Sequence, residues 1–387
     1  MVNVPTLRFP GFTEEWQKMR LDELLEFYST NSLSWEQLEY DRGDFYNLHY
    51  GLIHVGLPTL VDSSKYNLPT IKEDFLPRNY ELVKDGDVAF ADASEDTNEV
   101  AKAIEFTNTD SNQIVCGLHT IHGRDKDDRT KIGFKGFYFS SPAFHNQVRR
   151  LAQGTKIFSI STKILSECFV SLPSKDEQTK IANLLSLIDE RIALQSKLID
   201  RLKSLMDGIR HRLFEESTVH QSLGNIVEIR KGKQINGSEL LDYGEYPVMN
   251  GGITPSGFLN EYNIPAGTIS ISEGGNSCGY VQFNATPIWS GGHCYTLHLI
   301  CGDIDYRYLY HFLKHSESEI MKLRIGSGLP NIQKKDLSKF PITSYPISNQ
   351  MKISKTLDMM EARILNEEFM LQSYAKLKAY LLSAMFI

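Results

Sequence analysis

Residues 176–214, DEQTKIANLLSLIDERIALQSKLIDRLKSLMDGIRHRLF, decide how the rest of the chain is arranged. Ile181, Leu185, Ile188, Ile192, Ile199, Leu202, Met206, Ile209 and Leu213 form a heptad seam, which predicts one helix from Asp176 to Phe214. Its single break is Gln195, a polar residue at a d position. The end of the chain repeats the pattern 172 positions later, with Ile353, Leu357, Met360, Ile364, Leu371, Tyr374, Leu381 and Met385. Glu367 takes the place of Gln195, Lys378 that of Met206, and Gln178/Gln350, Lys180/Lys352 and Arg191/Arg363 match at the same offset. A seam alone could be coincidence, but a seam with a shared polar layer and shared flanking residues is an internal repeat.

Each helix would be about 58 Å long at 1.5 Å per residue. With one polar residue near the middle of each, an antiparallel pair brings Gln195 opposite Glu367, where the two set the register at some cost in stability. A parallel pair would need the intervening segment to run the full length back. Leu184, Leu198, Leu205, Met370 and Leu377 add apolar side chains at g positions, more than a two-stranded coil requires, so the pair is expected to dock a further partner. Pro173 and the capping-box spacing Ser174…Glu177 mark the start of the first helix, and Ser348 is the expected cap of the second. The bland alternative is that each helix is core for its own domain only.

The stretches before the two helices also match. Leu21-Asp22-Glu23-Leu24-Leu25-Glu26 echoes Leu223-Gly224-Asn225-Ile226-Val227-Glu228 at an offset of 202, while Gly154-Thr155, Ile160 and Leu165 echo Gly326-Ser327, Ile332 and Leu337 at 172. The chain therefore reads as domain, helix, domain, helix: residues 1–172, 173–216, 217–345 and 346–387, with roughly thirty more residues in the first domain than in the second. Short β-like runs, among them 87–90, 113–115, 268–271, 280–283 and 294–297, are bounded by glycine-rich turns, and helical stretches at 141–153 and 306–324 come near each domain's end. The expected class is α+β: two related globular domains separated by a pair of long antiparallel helices, with a pseudo-twofold internal repeat.

Composition narrows the function by exclusion. With 41 basic and 48 acidic residues among 387, the net charge is −7, so no global basic field announces nucleic acid, although phosphate contacts need only local clusters. Five cysteines without a CxxC pair suit a reducing compartment. No signal-like or membrane-length apolar run occurs, and a cytoplasmic protein is expected. Nucleotide-binding loops, dinucleotide fingerprints and nucleophile elbows are absent, as are Asn-Pro-Pro and Asp-Pro-Pro, and no acidic residue is followed two positions later by lysine. Cys116, His119 and His122 have a metal-like spacing but lack a fourth ligand, so packing or polar surface is the better account and no metal is expected.

Basic residues cluster locally in both domains. Arg124, Lys126, Arg129, Lys131 and Lys135 share one expected loop; Arg230, Lys231 and Lys233 open the second domain; Lys322 and Arg324 precede a glycine-rich turn, with Lys334, Lys335 and Lys339 beyond it. Singly, each is more often a solvated face. Together they favour nucleic acid.

Several phrases resemble the specificity subunit of type I restriction–modification systems. They are His49-Tyr50-Gly51-Leu52-Ile53-His54, Leu82 to Val88, Phe90 to Asp96 and Gly117-Leu118-His119-Thr120 in the first domain. In the second they are Tyr246-Pro247-Val248, Ile271-Ser272-Glu273-Gly274-Gly275, Gly279-Tyr280-Val281 and Trp289 to Tyr295, and the helix entry Leu172-Pro173-Ser174 with Glu177-Gln178 is also similar. Leu52 departs from the aspartate common in the tyrosine–glycine phrase. The resemblance implies a non-catalytic subunit that binds double-stranded DNA, two methyltransferase subunits and two restriction subunits. It implies no cofactor in this chain, with S-adenosylmethionine, ATP and Mg on the partners. Each domain would read one half of a split target, asymmetric because the domains differ, and the helices would act as spacer and docking site.

On that reading Lys126, Arg129, Lys131, Arg230, Lys231, Lys233, Lys322 and Arg324 are candidates for phosphate contacts, and His49, Tyr50, His122, Asn250, Asn276 and Tyr280 for base edges. Gln195 and Glu367 would fix helix register, and Leu184, Leu198, Leu205, Met370 and Leu377 would dock the methyltransferases. Two other classes compete: a self-contained nuclease or methyltransferase with an unfamiliar site, and a coiled-coil interaction scaffold without DNA readout.

Overall fold

Val88-Ala89-Phe90-Ala91 shows how sequence alternation becomes architecture. In a strand, successive side chains point to opposite faces. Val88 and Phe90 enter an aromatic core with Phe134, Phe139 and Phe144, while Ala89 and Ala91 enter a second core with Leu48, Ile104 and Phe106. All four are fully buried, which places this strand at the centre of its sheet.

The computed structural model describes residues 4–40, 43–97, 99–110, 112–154, 156–215, 219–326 and 328–387. Thr155 and Ser327 of the matched pairs, and the expected boundary at 216–217, lie outside the described residues. The chain forms two compact units, Met1–Gln195 with Met370–Ile387, and Ser196–Phe369. Both are α+β.

In the first unit a five-stranded sheet runs in the order Leu25–Tyr28, Thr120–Asp125, Val88–Ala91, Ala103–Thr107, Leu60–Asp62. Only its last pair is parallel. Beside it Gln113–Cys116, Phe45–Leu48, Thr70–Ile71 and Leu38–Glu39 form a second sheet, and Gln17–Arg20 pairs with Phe169–Leu172. The second unit repeats this plan with Val227–Lys231, Cys294–Leu299, Thr268–Ser272 and Val281–Asn284, all antiparallel. Its smaller sheet is Phe258–Leu259, Tyr246–Met249, Trp289–Ser290, and Val219–Ser222 pairs with Pro341–Ser344. Much of the first domain's surplus lies between Leu48 and Val88, where helix Tyr50–His54 and strand Leu60–Asp62 have no counterpart in the second. The expected helix over 306–324 is two, Tyr306–His315 and Glu317–Met321.

The long helices are Lys175–Glu215 and Ile347–Ala384. Within the first unit they run antiparallel: Asp189 pairs with Lys378 at 2.6 Å, and Arg191 Nε donates to the Tyr374 hydroxyl. Within the second, Met206 packs in one core with Leu357 and Ile364, and Lys203 pairs with Glu368 at 2.7 Å. Gln195 and Glu367 are buried, and Arg363 ion-pairs with Glu367 one helical turn away.

Two capping expectations change. Ser174 Oγ accepts from the Glu177 amide, but the Glu177 carboxylate is engaged by Arg8 at 2.6 and 2.8 Å instead of completing the reciprocal bond. The second helix already includes Ile347, so Ser348 lies inside its first turn, and the Pro346 carbonyl accepts from Asn349 and Gln350.

The chain's last residues are core in the first unit. Phe386 contacts the rings of Trp16, Phe134 and Tyr138, whose hydroxyl donates to the Ile387 carbonyl, and the Leu7 amide donates to Ala384. Phe386→Ala should therefore destabilise the first unit by about 3–5 kcal/mol, read as a lowered urea midpoint for that unit's transition. An unchanged midpoint would show that the site collapses without cost.

Candidate nucleic-acid interface

Strand register decides which candidate residues can act together. In the first domain, His49 and Tyr50 follow strand Phe45–Leu48 and sit beside the turn at 117–119, where the Gly117 amide donates to Leu48 at 2.9 Å. Trp35 stacks on His49 with centroids 4.5 Å apart, His49 on Tyr50 at 4.7 Å, and Tyr50 meets His119 at 5.2 Å. Trp35 and Tyr50 leave polarisable faces open to solvent, a surface suited to stacking or groove contact. His49 itself is buried; its Nδ1 accepts from the Gly51 amide, and burial pushes its pKa down, with His119 adding to that. Its ring is held inside this surface, under Trp35 and against the Gly51 amide, so it does not share the exposure expected of a base-edge contact.

His122 is also corrected. It is buried, and its Nε2 lies 2.8 Å from Asp87. Arg124 clamps the same carboxylate through Nε and Nη2 and reaches Glu81 and the Leu82 carbonyl. Burial works against the charged Asp87, but hydrogen bonds from His122 and Arg124 outweigh it and hold the carboxyl below its ordinary range.

The remaining basic residues of that cluster divide. Lys135 is buried against Thr130 and Glu105, so Arg124 and Lys135 are structural. Lys126 is exposed but donates to the Asp22 carbonyl, Arg129 pairs with Asp127, and Lys131 is exposed near the first helix's start. These three follow the far end of strand Thr120–Asp125 from the His49–Tyr50 loop, about 17 Å along the strand. The structure does not bring the two first-domain groups together.

In the second domain most candidates do gather. Asn250 Oδ1 accepts from the His293 amide at 3.1 Å, and the Ser272 hydroxyl donates to Gly251. Gly251, Gly252, Ser272 and Tyr280 line one shallow pocket. Gly251 has φ 85, and a Cβ there would stand 3.0 Å from the His293 carbonyl, so the close approach requires glycine. Lys231 pairs with Glu273 at 2.7 Å, and Lys233 lies over the Trp289 ring. The Lys314 ammonium covers one Tyr280 face at 4.0 Å, and Asn276 is exposed on the turn before it. Arg230 is exposed beside Glu228, Lys322 pairs with Glu319, and Arg324 is exposed next to the Ile325–Asn331 bridge, which adjoins Gly274 through Asn331.

Two acidic residues missed at the sequence level complete these surfaces: Asp92 beside His119, and Glu273 beside Lys231 and His293. Both stand directly after a buried strand and before a small residue, Ala93 or Gly274. The Cys116, His119 and His122 side chains go to different surroundings: Cys116 into the core, His119 to Asp92, His122 to Asp87. Among the described residues the one grouping with ligand-like geometry is His311, Asp358 and Glu361, where Arg307 already bonds both carboxylates. That is an ion-pair network.

Of the five residues expected to dock a partner, Leu198, Leu205 and Leu377 are exposed, Met370 is half-buried, and Leu184 packs against the first unit's core. No described helix is long and apolar enough to cross a membrane.

A model of the type I restriction modification DNA specificity domain matches residues 13–204 and again 216–372. A protein named as a type I specificity subunit from Mycoplasma genitalium is 30% identical over 209 residues, 50% of this chain and 55% of that protein. Another so named from Mycoplasma pneumoniae is 36% identical over 151 residues, 38% of this chain and 40% of its own length. The chain thus spans about half the length of the curated relatives it matches. The crystal structure of a type I restriction–modification S subunit from M. genitalium is similar over 99% of both chains, with TM-score 0.68 and 21% identity. A chain from a structural study of type I system assembly and conformational transition is similar over 97% of this chain and 98% of that one, with TM-score 0.58 and 16% identity. These two likenesses concern the fold.

The buried Asp87 network has a pH signature. A carboxyl held below its unfolded value adds stability that is fully present above the unfolded pKa, about 3.9, and is lost as pH falls through the folded value. Asp87→Ala should cost about 3–5 kcal/mol at pH 7, because Arg124 and His122 lose their partner. It should also flatten the first unit's loss of stability below about pH 4. Urea titrations at several pH values test both; a parallel downward shift of the whole curve would remove Asp87 from the acid transition.

Proposed function

The chain belongs to the type I restriction modification DNA specificity family, and from that premise we propose that it is the subunit that selects the DNA target of a type I restriction–modification complex. Residues 1–172 and 217–345 are the two recognition domains, each reading one half of a bipartite, asymmetric double-stranded target. The segments 173–216 and 346–387 are the spacer, and their exposed apolar residues, Leu198, Leu205 and Leu377 among them, dock two methyltransferase subunits. Two restriction subunits complete the assembly, in the cytoplasm. This chain performs no bond-breaking step; S-adenosylmethionine, ATP and Mg belong to the partners.

The observation that carries the reading is a scaffold repeated with different residues at its reading positions. Four strands keep their order in both main sheets, and the loop after the equivalent strand is His49-Tyr50-Gly51 in one domain and Asn250-Gly251-Gly252 in the other. One sheet plan with two chemistries is what a protein needs to read two unlike half-sites. Lys126, Arg129, Lys131, Arg230, Lys231, Lys233, Lys322 and Arg324 supply phosphate contacts, and Tyr50, Asn250, Asn276 and Tyr280 contact base edges.

Genome-wide adenine methylation in the host, with and without the gene, tests the reading. A split, asymmetric motif should lose methylation on deletion, and its two parts name the half-sites; a scaffold without DNA readout would leave every motif methylated. Lys233→Ala should weaken binding equally on all sequences and reduce the salt slope by about one. An unaltered slope would take Lys233 out of the phosphate set.

A further inference from the structure

Strand register puts a histidine and an acid at the same place in both domains. Thr120 faces Ala91 in the first sheet, and Cys294 faces Ser272 in the second. The residue before each of the first-named strands is a histidine, His119 or His293; the residue after each facing strand is an acid, Asp92 or Glu273. Backbone bonds agree: the Asp92 amide donates to His119 at 3.0 Å, and that of Glu273 to His293 at 2.9 Å. Two residues before each histidine is a glycine whose amide donates to the neighbouring strand's last residue, Gly117 to Leu48 and Gly291 to Met249. The positions are equivalent by geometry.

The side chains keep that equivalence although the loops around them differ. His119 Nδ1 lies 3.0 Å from Asp92 Oδ1, and His293 Nδ1 lies 3.9 Å from Glu273 Oε2. The acid sits inside and the ring outside: the imidazoles are 49% and 60% exposed, the carboxylates 29% and 11%. His119 also meets the Tyr50 ring, yet both imidazoles remain open to solvent. Glu273 Oε1 accepts from Lys231 and Tyr295, which leaves the buried Oε2 without a hydrogen-bond partner, and the His293 ring is the imidazole beside it, 3.9 Å away and just beyond hydrogen-bond reach. A carboxylate that holds Nδ1–H inward leaves Nε2 outward as an acceptor when the ring is neutral. Acceptors of that kind match the amino groups that adenine and cytosine present in the major groove.

Resting on the specificity reading above, we propose that His119 and His293 are equivalent base-contacting residues, one per half-site, with Asp92 and Glu273 as the positioning residues behind them. Asp92 bonds its ring directly, Glu273 stands behind its ring with an open acceptor that a small approach would engage, and each ring faces one half of the target. His119 therefore acts with Tyr50 on the first half, and His293 with Asn250 on the second.

The test uses the full chain in complex with its methyltransferase subunits, and measures methylation of the cognate duplex and of duplexes altered in one half or the other. His119→Ala should reduce discrimination at one half about tenfold and leave the other half unchanged; His293→Ala should do the converse. Discrimination at the untouched half shows in each variant that the complex is intact. Asp92→Asn and Glu273→Gln should erode the same halves as their histidines. Wild-type discrimination in both histidine variants, or equal weakening on all duplexes, would overturn the proposal while leaving the specificity reading in place. A wild-type complex that discriminates at neither half would sink both.

Discussion

The join between each long helix and its domain depends on one buried amide. Gln178 Nε2 donates to the Arg129 and Pro173 carbonyls at 3.1 and 3.0 Å, and its Oε1 accepts from the Lys131 amide at 2.8 Å. Gln350 repeats this, donating to Asp303 and Tyr345 and accepting from Asp305. Both are buried. A neutral amide offers two donors and an acceptor on one short plane, so it can satisfy at once three backbone groups of the loop and strand end that precede the helix. In a dry site, removing it would expose all three to the desolvation cost of unmade bonds. The paired glutamines, first met as one term of a repeat, are thus what ties strand end, loop and helix start together in each unit.

The same economy of polar groups explains why charge read from sequence misleads in the first domain. Arg124 and Lys135 look like members of a basic loop, yet each is turned inward onto a buried acid. Burial pushes the Glu105 carboxyl up, and Lys135 with the Gly136 amide supports its charged form from two sides. Basic residues beside a strand that ends in a packed core serve the core first; Lys126, Arg129 and Lys131 are the ones left largely to solvent. In the second domain the equivalent sheet carries Arg230 and Lys231 at the end of a strand whose outward face is open, so the cations there remain on the surface.

The long helices were legible because a heptad seam encodes burial directly: Ile181, Leu185, Ile199 and Leu357 are buried where the pattern places them. The strands were legible where alternation met turn glycines, as at Val88–Ala91 and Thr268–Ser272. Helix ends were less so, because a capping box is a spacing and Glu177 answers to Arg8, far away in sequence. The site was least legible. His49 and His122 have the composition of readers, but exposure is decided by strand register, which brings Asp87 under His122 and Trp35 over His49. Asp92 and Glu273 escaped notice because an acid next to a small residue carries no signal until its partner histidine, some twenty to thirty positions on, is brought beside it by the sheet.

Duplication with divergence then has a physical logic. The central strands Val88–Ala91 and Thr268–Ser272 are buried on both sides and tolerate little change, since a one-residue slip would send every side chain to the wrong face. The loops at the strand ends carry no such constraint: an added helix at Tyr50–His54 in one domain and a bare Gly251-Gly252 turn in the other are both accepted by the same sheet order. Chemistry can change at the loop while the anchoring hydrogen bonds from Gly117 and Gly291 to the neighbouring strand stay as they are. A recognition surface built in this way can acquire a new preference in one domain without disturbing the register, the helix joins or the opposite domain.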